Sequence, residues 1–131
     1  MTDGPSISPR EQAVVLELDG AARYRYFIKR VADRESAWSL RDRAGWVSVG
    51  AVDGAPLLPL WPGREYAELH RHGWEGTVAA AIALGDLFVL LADLEANGLG
   101  VSVFPTPALA AVHVSAQRLA DDLRSECEEW Y

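Results

Sequence analysis

Glu65, Glu68 and His72 stand at i, i+3 and i+7, a spacing that brings two carboxylates and an imidazole onto one face of a helix. Such a trio can hold a divalent cation or pass a proton, the equipment of a small metal-assisted hydrolase. The plainer reading is a solvated helix face, because Glu68 and His72 form an ordinary i, i+4 pair and a histidine near a helix C-terminus is favoured by the dipole. His70 is turned away from that face. His113 lies between Val112 and Val114, and alternation along a strand puts it opposite the valines, toward solvent or a cleft. Cys127 shares the apolar side of a C-terminal helix with Leu119, Leu123 and Trp130, and a buried thiol without a basic neighbour is a poor nucleophile. There is no Gly-x-Ser-x-Gly, G-x-G-x-x-G or phosphate-loop pattern, and Gly98-Leu99-Gly100 follows a helical stretch where a dinucleotide fingerprint would precede one. No residue is assigned a catalytic role, and no cofactor is expected.

The segment Pro59-Leu60-Trp61-Pro62-Gly63-Arg64-Glu65-Tyr66 carries recognition chemistry instead. Its prolines stiffen the chain and Gly63 frees it where a strand hands over to a helix. A rigid corner of this kind can offer Trp61, Arg64 and Tyr66 to a protein partner, since Trp, Tyr and Arg are the types in which binding energy concentrates. The competing reading is architectural: Trp61 plugs the core at a strand end and Arg64 pairs with a nearby acid. A second basic cluster, Arg23, Arg25, Lys29, Arg30 and Arg34, is interleaved with Tyr24 and Tyr26. It suggests either a nucleic-acid accessory face or a solvated helix surface.

Charge weighs against nucleic acid. Nineteen acidic and twelve basic residues give a net charge of -7, and that field repels phosphate backbones and anionic membranes. Half of the 131 residues are apolar and 24% are charged, which suits a packed single domain rather than a disordered chain. One cysteine excludes an internal disulfide and fits a reducing compartment. The first residues lack a secretory pattern, and the apolar stretch Val78 to Ala92 is broken by Gly85-Asp86 and too short for a span. A soluble, cytoplasmic protein is expected, and eleven Arg against one Lys with twenty Ala fits a GC-rich bacterial genome.

The elements that must position these groups follow from capping and period. Ser8-Pro9-Arg10-Glu11 is a capping-box pattern that starts a helix running to about Leu18. Tyr24, Phe27, Ile28 and Val31 form one face of a second helix ending near Asp33. Period two begins at Ser36, with Trp38 and Leu40 on one face. A second strand covers Trp46 to Val52, Asp53-Gly54 signals a hairpin, and a third strand runs from Pro56 to about Trp61. Arg64 to Arg71 is a short helix. Thr77 to Leu84 reads equally as helix or strand. Asp86 caps the next helix, which closes at Asn97-Gly98. Strands over Gly100 to Phe104 and Leu109 to Val114 precede a last helix capped by Ser115.

Four stretches taken together, Tyr26 to Asp33, Trp38 to Asp42, Pro59 to Ala67 and Val103 to Pro107, resemble a family of small bacterial proteins described as domain of unknown function 2750. The likeness runs from about Arg23 to Leu123 and is most specific in the Pro-Leu-Trp-Pro segment and its Arg-Glu-Tyr-Ala continuation. The resemblance implies a compact bacterial α+β domain and brings no assigned reaction or site residues. It lends no weight to His70, His72 or Cys127, which fall outside those stretches.

The expected molecule has a flexible N-terminus over residues 1–7 and a single α+β domain over 8–131. Its mostly antiparallel sheet has about five strands, opening with a three-stranded meander, packed with four to five helices. The expected role is non-enzymatic: a protein-binding or regulatory module, adaptor or immunity-like, using Trp61, Arg64 and Tyr66. The alternatives are the Glu65/Glu68/His72 hydrolase and the Arg23 to Arg34 nucleic-acid factor.

Overall fold

A computed structural model describes residues 7–50, 56–71, 75–105 and 112–130 of the chain. The first helix, α1, spans Pro9–Leu16, two residues shorter than expected, and Ser8 Oγ accepts the Glu11 N–H at 3.1 Å. Asp19 caps α2 (Gly20–Arg34) by accepting the Ala22 N–H at 2.8 Å. Phe27, Ile28 and Val31 are buried along its inner face as their spacing requires. Arg23 is buried as well, because its Nη1 reaches back over the α1–α2 turn to the Leu18 carbonyl at 2.8 Å. Glu35 closes α2 at φ 57°, a left-handed residue that reverses the chain into β1 (Ser36–Asp42).

The α+β class is as expected, but the strands divide between two sheets. On one edge β1 pairs antiparallel over its length with β5 (Val78–Ala83), from Ser36 opposite Ala83 to Arg41 opposite Val78. This resolves the ambiguous alanine-rich stretch as strand, a case of long-range pairing overriding local helix propensity. The other edge of β1 is shared. Trp38 exchanges both backbone hydrogen bonds with Trp61 (2.9 and 2.8 Å), the Leu40 carbonyl accepts the Val47 N–H at 3.0 Å, and β2 (Gly45–Trp46) takes Arg41 and Asp42. At Val47-Ser48 the chain leaves this sheet. Val49–Gly50, β3, then pairs with β4 (Pro56–Leu60) in a second sheet, which continues through β6 (Gly100–Val103) to β7 (Val112–Ser115). The expected meander therefore keeps its antiparallel sequence while its middle strand is split across the two sheets. Asp53-Gly54 lies outside the described residues.

In the second sheet β6 (Gly100–Val103) runs parallel to β4 and antiparallel to β7 (Val112–Ser115). A Cβ on Gly100 would lie 3.0 Å from the Val114 carbonyl oxygen and 3.2 Å from Leu57 Cδ2. Backbone cannot swing aside as a side chain can, so Gly100→Ala is expected to cost about 1–3 kcal/mol. The check is a lowered thermal midpoint with an unchanged circular dichroism spectrum.

α3 spans Arg64–Arg71 as expected. α4 (Leu84–Ala96) begins two residues before the expected cap, with Ala83 at the cap position and Asp86 in the first turn. The Leu84 N–H is satisfied by the Glu35 carbonyl at 2.8 Å, so the start of α4 is fixed by the end of α2 rather than by a side chain of its own. Ser115 Oγ accepts the Arg118 N–H at 3.1 Å and opens α5 (Ala116–Trp130), which packs on α2 and α4. The core gathers Phe27, Val31, Leu40, Leu60, Trp61, Tyr66, Leu91, Val101, Phe104 and Leu123. Ile7 is buried with them, so packed chain begins within the segment expected to be flexible.

Candidate binding cleft

The Pro62 corner is held from inside. Trp61 has no exposed surface, and its indole N–H donates to the Pro105 carbonyl at 2.7 Å. The Phe104 N–H donates to the neighbouring Leu60 carbonyl at 2.8 Å, which ties the ends of β4 and β6 together. Tyr66 is buried, with its ring 4.8 Å from Phe104 and edge-on to Tyr26 at 6.1 Å. Of the three residues expected at a contact surface, Trp61 and Tyr66 thus lie in the core and Arg64 is exposed, its side chain 60% accessible. Ile7 clamps the corner from outside: its N–H donates to Glu65 Oε2 at 3.1 Å, and its carbonyl accepts Gln12 Nε2 at 2.8 Å. A Cβ on Gly63 would come within 2.5 Å of Ile7 Cδ1.

Outside this scaffold is a cleft of about 350 Å3. Arg30 and Arg34, one turn apart on α2, form one wall, and Ser36 and Trp38 from β1 lie beside them. Pro62, Gly63, Arg64 and Glu65 close it from the corner, and Ala81 of β5 lies opposite Trp38. The Arg64 guanidinium carbon sits 5.8 Å from the Trp38 ring centroid, within cation–π range. Arg30 meets Glu11 only at 3.8 Å, and its Nε is buried without a hydrogen-bond partner among the described residues.

Glu11 does not complete the expected capping box. Its carboxylate accepts the Tyr26 hydroxyl at 2.6 Å, and Tyr26 in turn lies 3.2 Å from the Tyr66 hydroxyl. Burial first, and then the hydrogen bond to Glu11, pushes the Tyr26 phenol far above its ordinary value of 10.0. Burial raises Tyr66 as well, and burial followed by the bond to Asp122 pushes Tyr24 far up. A folded pKa above the unfolded one means the native state holds the proton more tightly. The stability these phenols contribute is whole below about pH 10 and is lost as pH climbs above it. Alkaline titration of the thermal midpoint should show a plateau to about pH 9.5 and then a steep fall, with a shallower fall in Tyr26→Phe.

The other sequence candidates are distributed differently from their expected patterns. Glu68 accepts Arg71 Nε at 2.6 Å and lies 3.8 Å from Arg64, so two guanidiniums already occupy the carboxylate that a metal would need. Glu65 is engaged with Ile7, and His72 is outside the described residues. Among the described residues no three His, Cys, Asp or Glu side chains are placed to hold a metal ion. The basic stripe of α2 is not one face: Arg23 is buried, Lys29 meets Glu126 at 3.7 Å, and Arg30 and Arg34 turn into the cleft. His113 is exposed. Burial, aided by Glu126 and Glu35, raises the Cys127 thiol and keeps it protonated. Arg30, Arg34, Ser36 and Trp38 were not singled out together by sequence reasoning. The available signals were the i, i+4 and i, i+2 spacings that put each pair on one side of its element.

A small α+β domain with a buried tryptophan corner behind an arginine-lined cleft is the class of protein this arrangement defines. The model of the family described as Protein of unknown function (DUF2750) matches residues 24–123, and the chain belongs to that family. No curated protein matches the chain. Among the described residues, no helix is long and apolar enough to cross a membrane.

Proposed function

We propose that the chain is a non-enzymatic binding module, adaptor-like or regulatory, that docks another protein in the bacterial cytoplasm through the cleft beside the Pro62 corner. The observation that carries this reading is the convergence of Arg30, Arg34 and Arg64 from two separate helices around the half-buried Trp38. Arg and Trp in a concave, partly desolvated site are the residues in which interface energy concentrates. Trp61 and Tyr66 serve the same surface from behind, by fixing the backbone that presents Arg64. The titratable groups with raised values, Tyr24, Tyr26, Tyr66 and Cys127, are all held protonated, the opposite of activation for nucleophilic or base catalysis.

The test is site-specific photocrosslinking in cells, with a photoreactive phenylalanine in place of Arg64 and, as control, in place of the exposed Val89 on α4. A discrete protein adduct from position 64 and none from position 89 is the expected result. Equal labelling at both positions, or none at position 64, rejects the cleft as the docking surface.

A further inference from the structure

The cleft runs against the charge of the molecule around it. The chain carries nineteen acidic and twelve basic residues, yet three guanidiniums and a single carboxylate line this cleft, and that carboxylate, Glu65, accepts the Ile7 N–H. The groove along α3 is the contrast: there Arg64 and Arg71 face three carboxylates, Glu65, Glu68 and Glu75. We propose that the cleft receives an acidic segment of the partner protein in extended conformation, with two carboxylates at alternate positions and an apolar side chain against Trp38. This deepens the binding-module reading and rests on it.

Spacing argues for a peptide. Arg30 and Arg34 stand at i, i+4 on α2, which separates their Cβ atoms by roughly 6 Å. An extended chain presents every second side chain on the same side, roughly 6.6 Å apart. An acidic-x-acidic strand therefore matches the arginine pair in register, and Arg64 on the other wall serves the same row. A cage for one phosphate would gather its donors around a single point, whereas these come from two separate helices. Guanidinium favours this use, because its planar fork takes a carboxylate through two parallel N–H donors. Trp38, Pro62 and Ala81 supply apolar wall for the uncharged residue.

The net charge of -7 opposes an acidic partner at long range. Screening limits that opposition to about 8 Å at physiological ionic strength, so within the cleft the three guanidiniums dominate.

Fluorescence anisotropy with a fluorescein-labelled peptide of sequence pattern Asp-x-Asp-x-Leu tests the proposal, with the Asn-x-Asn-x-Leu peptide as control and inorganic phosphate as competitor. The acidic peptide should bind at least tenfold more tightly than its amide counterpart, and Arg34→Gln and Arg64→Gln should each weaken it about tenfold or more. Circular dichroism and the thermal midpoint establish that both variants stay folded. Equal binding of the two peptides, or variants that bind as the wild type does, overturns the acidic segment. Phosphate that displaces a non-selective probe, with no preference for the acidic peptide, assigns the cleft to a free oxyanion instead. If the acidic peptide fails while a photoreactive residue at position 64 still traps a protein, this inference falls and the binding module stands. If both fail, both fall.

Discussion

Trp61→Ala is expected to remove about 3–5 kcal/mol of stability, the loss typical of emptying a fully buried aromatic site. A domain of this size has about 5–15 kcal/mol in total, so the variant should unfold roughly 10–20 °C below wild type. Two contributions add. The indole fills core space between the sheets with none of its surface exposed, and its N–H is matched to the Pro105 carbonyl at 2.7 Å. Trp61→Phe separates them: it keeps most of the ring volume and leaves that buried carbonyl without its indole donor, which costs about 1–3 kcal/mol. Urea unfolding of the three proteins gives the comparison. A urea midpoint for Trp61→Ala unchanged from wild type would remove Trp61 from its place as the anchor of the corner.

Phe104→Ala is expected to come next, again at about 3–5 kcal/mol. Phe104 is fully buried, packs at 4.8 Å on Tyr66 and 6.2 Å on Tyr26, and stands at φ 57°, where residues other than glycine are strained. The fold holds it there because its N–H reaches the Leu60 carbonyl and the next residue supplies the acceptor for Trp61. The two predictions are coupled for that reason. Losing either side chain loosens the same junction of β4 and β6, so the double variant should be less destabilised than the sum of the singles by about 0.5–3 kcal/mol. Strict additivity in a double-mutant cycle would mean that the two aromatics act on separate parts of the core.

What the sequence made readable was local. Ser8 and Ser115 cap the helices they precede because a cap involves groups two or three residues apart. The inner face of α2 follows from its spacing for the same reason. What stayed hidden depends on partners far along the chain. The alanines of β5 become strand only through a ladder with β1, some forty residues earlier, and nothing at Val47-Ser48 marks the departure into a second sheet. Arg23 looks like a surface charge until the Leu18 carbonyl is placed within its reach. The Pro59 to Tyr66 segment was legible as a corner, yet whether Trp61 faces in or out depends on Pro105, 44 residues away. The cleft was the least legible feature, since its guanidiniums belong to α2 and α3 and its indole to β1.

The shared edge of β1 has a consequence during synthesis. That strand is flanked on one side by residues up to Trp61 and on the other by Val78–Ala83, so its backbone cannot be fully paired until Ala83 has left the ribosome. The second sheet waits longer, because the parallel partner of β4 begins at Gly100. The emerging chain must therefore carry part of the apolar surface of β1 and β4 uncovered until those later strands have been made. Neither sheet can close before Val78–Ala83 and Gly100–Val103 have emerged.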